Sequence, residues 1–477
     1  MTAWGDIPGH RAPVALQVLM FFPRGGSAQV VRALARAIDG GPSGWRSRIV
    51  SGSLGLPGEA GNAATFFAGL DVVPVPYDAA AAAPDPMLAS PPFHPSYEDR
   101  PGAPDRVLAA LGDDVYAHLV EEWAAILAAP GVLDDVEVAH LHHLTPVHEA
   151  LARVRPDLPV VTHLHGTELL MLDRLAAGAP WPRGEAWRAR MRRWVSRSAA
   201  VIVSSDASAA SAAAHLGLEV DDIDVIPNGI DPVEFDGRRA GRAERDGLWR
   251  RLLVDDPAGW SPEDPRPGSV AYAPADLAPL LNPAAAAVLF VGRFTAVKRA
   301  ALLVRAHARA RDRLGRPLPL VLWGGFPGEW EGEHPAHAAR RSPWGREVFL
   351  AGWRPHETLP GSLAAADVMA VPSVEERFGL AYVEAMAMGV PPIACRAGAP
   401  PTFIDDDPRS PDRSGWLVPP DDEAALADAL VQAASDAAER ARRGAAGRAH
   451  VLERFAWPAL ARRVEERYAA VAVPARR

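Results

Sequence analysis

Two α/β halves of the Rossmann type are what this sequence predicts, on three observations. Short β-rich runs alternate with Ala/Leu/Arg stretches whose apolar residues recur at helical spacing. The alternation comes in two successive series, one opening at Val14 and the other at Val288. The chain also has 477 residues, too many for one ordinary core, so two domains are expected. Successive strand–helix–strand units build doubly wound parallel sheets, and two such series imply two domains facing each other across a cleft.

In the first series, Val14–Phe22 reads as a buried strand. It passes through Pro23-Arg24-Gly25-Gly26-Ser27 into a helix at Ala28–Ile38. A strand, a glycine turn and a helix make the start of a doubly wound unit. Further strands are expected at Val136–His140, Leu158–Thr162 and Ala200–Ser204. The second series repeats this grammar at 288–291, 318–323, 348–350 and 366–371, then a helix around 380–388 and a strand at 390–395. The division expected is an N-terminal Rossmann-like domain (1–233), an insertion or linker (234–284) and a C-terminal Rossmann-like domain (285–457). The Pro-, Asp- and Trp-rich part of the insertion, 236–284, is too long for a plain linker and should carry partial structure of its own. The Ala- and Pro-rich stretch 78–105 reads as a surface loop or lid. The last helix, near 458–471, could cross back, so that 458–477 completes the N-terminal domain.

Composition narrows the function. Hydrophobic residues at 48% and charged residues at 23% describe a soluble globular protein. No apolar run reaches the roughly 18 residues of a membrane span, and the opening Met-Thr-Ala-Trp-Gly-Asp is not a signal peptide. The one cysteine, Cys395, rules out an internal disulfide and fits a reducing cytoplasm; its apolar surroundings make it a small core residue. A net charge of −9 argues against bulk nucleic-acid binding. An anionic ligand must then be met by a local cationic site.

Such a site has a candidate in the only lysine, Lys298, which stands against 49 arginines (Lys+Arg is 50). It lies in Val291-Gly-Arg293-Phe-Thr-Ala-Val-Lys298-Arg, directly after an apolar run. An ammonium is a compact point charge suited to phosphate oxygens, which arginine's planar fork is not. The rival reading is a chance surface lysine. The second signal is Glu376-Arg-Phe378-Gly379-Leu380-Ala-Tyr-Val-Glu384. Gly379 opens a helix that contains Glu384 and that Gly389 closes, while Glu376 stays in the loop before it. Backbone N–H groups at such a helix start face anions, and carboxylates accept from sugar and ribose hydroxyls. An ordinary acidic loop beside an acidic helix start is the plain alternative.

With Arg293 and Lys298, this stretch resembles the retaining glycosyltransferases of family 4, which have the GT-B fold. Val225-Ile-Pro-Asn-Gly-Ile-Asp231 is similar to the family's segment near the interdomain hinge. His165-Gly166, in Thr162-His-Leu-His-Gly-Thr-Glu168, resembles its histidine loop. Gly415–Asp421 and Phe455-Ala-Trp457 resemble its C-terminal signatures. The matches run in the family's order from about 15 to 470, leaving 236–284 and 78–105 outside the usual pattern.

The resemblance implies roles. Arg293 and Lys298 would bind the donor's diphosphate, Glu384 the ribose hydroxyls and Glu376 hydroxyls of the donor sugar. Backbone at Phe378, Gly379 and Leu380 would meet sugar and phosphate, and backbone near Trp353-Arg354 the base. Gly25 and Gly26 would let the first loop approach the donor, and His165 would sit beside the transferred sugar or the acceptor. One departure stands out: Arg396-Ala-Gly-Ala-Pro-Pro401 occupies a place where the family often has a Gly-Gly pair. The implied activity is transfer of a sugar from a nucleotide-diphosphate donor to a hydroxyl acceptor with retention. It needs no metal and no cofactor beyond the donor co-substrate, because fixed cations and helix-end N–H groups stabilise the departing diphosphate. In the family that diphosphate's own oxygens help to take the acceptor proton. A nucleotide-sugar 2-epimerase of the same fold and a catalytically silent nucleotide-sugar-binding subunit are the alternatives.

Two further patterns compete for attention. His140, His142, His143, His148, His163 and His165 cluster in sequence and could suggest a metal hydrolase. No carboxylate or cysteine partner lies at a recognisable ligand spacing, so no metal is expected, and two neighbouring strands ending together explain the cluster better. The basic, aromatic stretch Trp181–Trp194 could touch an anionic acceptor or the inner face of the membrane as a peripheral contact. A helix that packs its tryptophans inward and solvates its arginines is the preferred reading. Asp221-Asp222 and Asp405-Asp-Asp407 read as solvated turns.

Overall fold

The computed structural model describes residues 12–98 and 104–472. The chain divides into two compact units, Met1–Gly229 with Trp457–Arg477, and Ile230–Ala456.

The first unit is built on seven parallel strands: β1 (Val14–Leu19), β2 (Arg46–Ser53), β3 (Asp71–Pro76), β4 (Val136–His142), β5 (Val160–Leu164), β6 (Ala200–Val203) and β7 (Ile223–Val225). Their order is β3-β2-β1-β4-β5-β6-β7. β1 is buried along its whole length, as a central strand covered on both faces must be, and this is why it reads as an apolar run broken only by Gln17. The helix Gly26–Asp39 turns Val30, Leu34 and Ile38 onto one face of the sheet. There they share a core with Trp457, Leu460 and Val464 of the helix Trp457–Val471. The other face is covered by the helices Asp113–Leu127, Val147–Val154 and Gly184–Val195.

Strands β2, β3 and β7 are absent from the sequence expectations. β2 is half polar (Arg46-Ser-Arg-Ile-Val-Ser-Gly-Ser53). β3 carries two prolines, which an edge strand tolerates because one row of its backbone groups needs no partner. The reading of 78–105 as a surface loop or lid is corrected for its described residues. Met87, Phe93, His94 and Tyr97 are buried in the first unit's core, and Tyr97 donates its hydroxyl proton to the Leu144 carbonyl at 2.8 Å. Four large side chains among many alanines and prolines pin the stretch; residues 99–103 lie outside the described ones.

The second unit has six parallel strands: β8 (Val288–Gly292), β9 (Leu320–Gly324), β10 (Val348–Gly352), β11 (Val368–Val371), β12 (Pro392–Cys395) and β13 (Trp416–Val418). They run in the order β10-β9-β8-β11-β12-β13. The segment 236–284 folds onto this unit. It forms the helix Arg242–Arg250, a π-helical turn Arg251–Asp255 and two short helices at Pro274–Leu277 and Ala278–Leu281. Trp249, Leu252, Leu253 and Trp260 enter the unit's core. Beside edge strand β10, Tyr272 Oη accepts the Leu350 N–H at 2.7 Å, and Trp260 Nε1–H donates to the Gly325 carbonyl at 2.7 Å. A sheet edge that would present unpaired backbone groups is thereby covered.

Among the described residues no helix is long and apolar enough to cross a membrane. In the helix Gly184–Val195, Trp187 and Trp194 are buried, and arginines between them are tied to this unit. Arg190 pairs with Asp113 at 2.6 Å and Arg193 with Glu149 at 3.1 Å. The tryptophans therefore serve the core.

Candidate functional site

Each sheet reverses its winding once, between β1 and β4 in the first unit and between β8 and β11 in the second. In open α/β sheets ligands bind outside the carboxyl ends of the strands at such points. Gly25 and Gly26 follow β1, Arg293 and Lys298 follow β8, and 376–384 follows β11, whereas His165 follows β5 and Trp353-Arg354 follow β10.

In the second unit, Arg293 and Lys298 follow β8, and Glu376 follows β11. The loop after β11 is drawn to the turn after β8 by the Val374 N–H, which donates to the Val297 carbonyl at 2.9 Å. This brings Lys298 Nζ to 2.6 Å from Glu376 Oε2 across 78 residues of sequence, with both side chains largely covered. Glu376 is held from behind as well. Gly398 adopts a left-handed φ of 65°, and a Cβ there would lie 2.3 Å from the Glu376 carbonyl oxygen. That carbonyl accepts the Ala399 N–H at 2.8 Å. The Arg396–Pro401 loop, where the chain departs from a Gly-Gly pair, thus keeps one glycine at the point of closest approach.

Gly379 sits at the start of the helix Leu380–Ala387 with φ 91°, a conformation that L side chains resist. The helix therefore begins with its first N–H groups uncapped by any side chain. Phe378 points its ring into the core against Phe403 and Phe455, so only its backbone faces the loop side. Glu384 is nearly buried, at 4% exposure, and its Oε1 takes a hydrogen bond from His356 Nε2 at 2.7 Å. His356 was not among the residues read from the sequence. It stands just past Trp353-Arg354 in the loop after β10, and only the fold brings it to a helix 28 residues later.

Arg293 extends beside Glu329 at 3.9 Å. Arg354 is different: its guanidinium is buried and committed to the 236–284 segment. It reaches Asp256 Oδ2 at 2.7 Å and the Leu252 carbonyl at 2.8 Å. Its side chain is a structural staple. The Trp353 ring meets Phe326 edge-on at 5.8 Å, and Phe326 itself is 39% exposed.

In the first unit, Gly25 is the cap and Gly26 the first residue of the helix that follows β1. Neither has a strained φ, and a Cβ on either would meet nothing within 4 Å. The chain's own packing gives no reason for glycine at these two positions. His165 follows β5. Its Nε2 lies 2.9 Å from His142 Nδ1, its backbone N–H donates to Glu168 Oε1 at 3.0 Å, and its ring stacks on His163 at 4.4 Å. Burial, followed by the neighbouring imidazoles, holds the His165 pKa well below the ordinary histidine range. Glu168 is fully buried, and its carboxyl is nevertheless kept below the usual range by His143, 3.2 Å away.

β4 and β5 are neighbours, with His142 and His163 in register, which collects the histidines. Nitrogens of His140, His142 and His163 come within 4.8 Å of one another. Their rings lie nearly parallel, inclined by 12–33°.

Two Rossmann-like sheets, each with polar groups at its winding reversal, define the GT-B fold. The family described as Glycosyl transferases group 1 matches residues 285–436, and that described as Glycosyltransferase Family 4 matches residues 24–234. A D-inositol 3-phosphate glycosyltransferase of Xylanimonas cellulosilytica is 30% identical over 343 residues, covering 70% of this chain and 72% of the relative. The one of Corynebacterium diphtheriae is 35% identical over 181 residues, covering 38% of this chain and 41% of the relative. The one of Corynebacterium kroppenstedtii is 30% identical, covering 65% of this chain and 62% of the relative. The match thus spans less than two thirds of the last two relatives' own lengths. Among solved structures, a sucrose-phosphate synthase from Thermosynechococcus elongatus superposes with a TM-score of 0.62 at 21% identity, covering 96% of this chain and 98% of that one. HepE of Anabaena, in complex with UDP and glucose, gives 0.63 at 16% identity, covering 97% and 100%. The chain belongs to glycosyltransferase family 4.

Proposed function

We propose that the protein is a retaining glycosyltransferase that moves a sugar from a nucleotide-diphosphate donor to a hydroxyl acceptor. The observation that carries this reading is the Lys298–Glu376 pair beside the glycine-opened helix start. A diphosphate arriving there offers Lys298 a stronger anionic partner than one carboxylate. As the ammonium turns to phosphate oxygens, Glu376 is released to accept from hydroxyls of the donor sugar. Arg293 and the N–H groups at Gly379 and Leu380 add charge and dipole where the leaving diphosphate accumulates negative charge. Glu384, oriented by His356 through one oxygen, has its other oxygen for the ribose hydroxyls. The openness around Gly25 and Gly26 is what close backbone approach to a donor requires. His165 would face the transferred sugar or the acceptor.

The acceptor attacks from the face that the diphosphate leaves, and the diphosphate's oxygens help to take its proton, so no protein base is assigned. The similarity to D-inositol 3-phosphate glycosyltransferases makes an inositol phosphate the first acceptor to try. The test is calorimetric titration of UDP, GDP, ADP and TDP into the wild type and Lys298→Ala. One nucleotide should bind, and the substitution should weaken it about tenfold to a hundredfold, the worth of one charge-assisted hydrogen bond of roughly 1.5–3 kcal/mol. Equal binding by both proteins would remove Lys298 from the donor site and end this reading.

A further inference from the structure

Gln17, Ser47, His140, His142 and His163 share one face of the first sheet. Gln17 pairs in register with His140, Leu19 with His142, Ala15 with Ser47, and His142 with His163; side chains two apart on a strand then point the same way. It is the face covered by the helices Gly26–Asp39 and Trp457–Val471. Across it a line of side-chain hydrogen bonds leads from Ser47 through Gln17 and His142 to His165.

The Gln17 amide presents its NH2 group to Ser47 Oγ at 3.0 Å, and its oxygen meets His142 Nε2 at 3.2 Å. An amide oxygen only accepts, so the hydrogen of this second bond belongs to His142. His142 accordingly carries its proton on Nε2 and offers a bare Nδ1. That nitrogen lies 2.9 Å from His165 Nε2, which must be the donor. His165 Nδ1 remains, with no hydrogen bond among the described residues, on a residue largely but not wholly covered. The unpartnered nitrogens of His140 and His163, by contrast, are sealed from solvent.

We infer that Ser47, Gln17 and His142 form a positioning relay that locks His165 in its Nε2–H tautomer, so that His165 presents a hydrogen-bond acceptor, not a donor, to its ligand. The ligand group it takes is a hydroxyl that donates a proton, on the transferred sugar or the acceptor. This rests on the reading above that His165 faces one of them. The relay also explains two polar side chains that β1 and β2 place in an apolar layer: Gln17 and Ser47 are 0% and 2% exposed.

The test is long-range proton–nitrogen correlation on protein labelled with 15N-histidine, the His165 signals being assigned by its substitution. Wild type should show His165 protonated at Nε2 and bare at Nδ1. Gln17→Glu replaces the amide by a carboxylate, which draws a second proton onto His142. The His142 Nδ1–H then donates to His165, which should flip to the Nδ1–H tautomer, with kcat/KM for sugar transfer falling tenfold or more while the melting temperature holds. Should Gln17→Glu fail to fold, Ser47→Ala frees the amide to turn over, and both His165 tautomers should be populated. A wild-type His165 protonated at Nδ1, or a tautomer indifferent to both substitutions, overturns the relay. A correct tautomer pattern in a protein that binds no nucleotide and transfers no sugar would leave the relay standing and refute the functional reading instead.

Discussion

Gly26 separates what the fold needs from what a ligand needs. At the first position of a helix, with an unstrained φ and open space around a Cβ, alanine should be accepted and should favour the helix by about 0.5–1 kcal/mol over glycine. Gly26→Ala is therefore expected to leave the melting temperature unchanged or raised while weakening donor binding at least tenfold. Titration with the preferred nucleotide sugar, beside a thermal scan, checks both halves; intact binding would show that the loop keeps its distance from the donor. Lys298, Glu376 and Glu384 were legible in the sequence because each stands in a short window with its own grammar, an apolar run or a glycine-opened helix. His356 and Gly398 were not. The bond from His356 to Glu384 and the contact of Gly398 with Glu376 join separate loops, and nothing near either residue announces its partner.

At the scale of elements, the 236–284 segment is the least expected feature and the easiest to weigh. Its anchor is Trp260, 1% exposed and hydrogen-bonded to Gly325. Trp260→Ala should cost about 3–5 kcal/mol, the range for emptying a large aromatic site, and should unpin the segment from β10. Urea unfolding measures it; a loss below about 1 kcal/mol would mean that the segment does not pack as described. The length and composition of the segment, rich in proline, aspartate and tryptophan, say only that it is no plain linker and carries partial structure of its own. That it shields a sheet edge follows from the strand order, which places β10 outermost. β2 and β3 escaped detection for a related reason. A half-polar strand and a proline-bearing edge strand have no clear period of their own and are made by their neighbours.

For the whole molecule, the buried histidines set the response to acid. Burial lowers the pKa of His94 and His163 to about 3, that of His148 to about 4, and those of His140, His142 and His165 well below the ordinary value. Near pH 6.5 and below, the unfolded chain takes up protons that the folded chain refuses, so stability falls as pH falls. Each such histidine contributes about 1.4 kcal/mol per pH unit between the unfolded pKa and its folded one. Unfolding free energies at pH 7.5 and 5.5 should therefore differ by several kcal/mol. His148→Gln, which can still meet Thr162 and Thr145, should flatten that slope by the share of one proton. An unfolding free energy constant over this range would mean that the histidines are not held neutral.

The alternation of apolar period in the sequence determined two doubly wound α/β halves and the loops after β8 and β11 that carry Lys298 and Glu376. Those features are local: a strand or an amphipathic helix announces which of its faces is apolar within about ten residues. Only the tertiary structure decided which polar groups turn inward and whom they meet. Gln17 within an apolar strand, Arg354 sealed under the 236–284 segment, and six histidines drawn to one sheet end all depend on strand order and register. Those are settled by contacts between residues far apart in the chain, where no local pattern reaches.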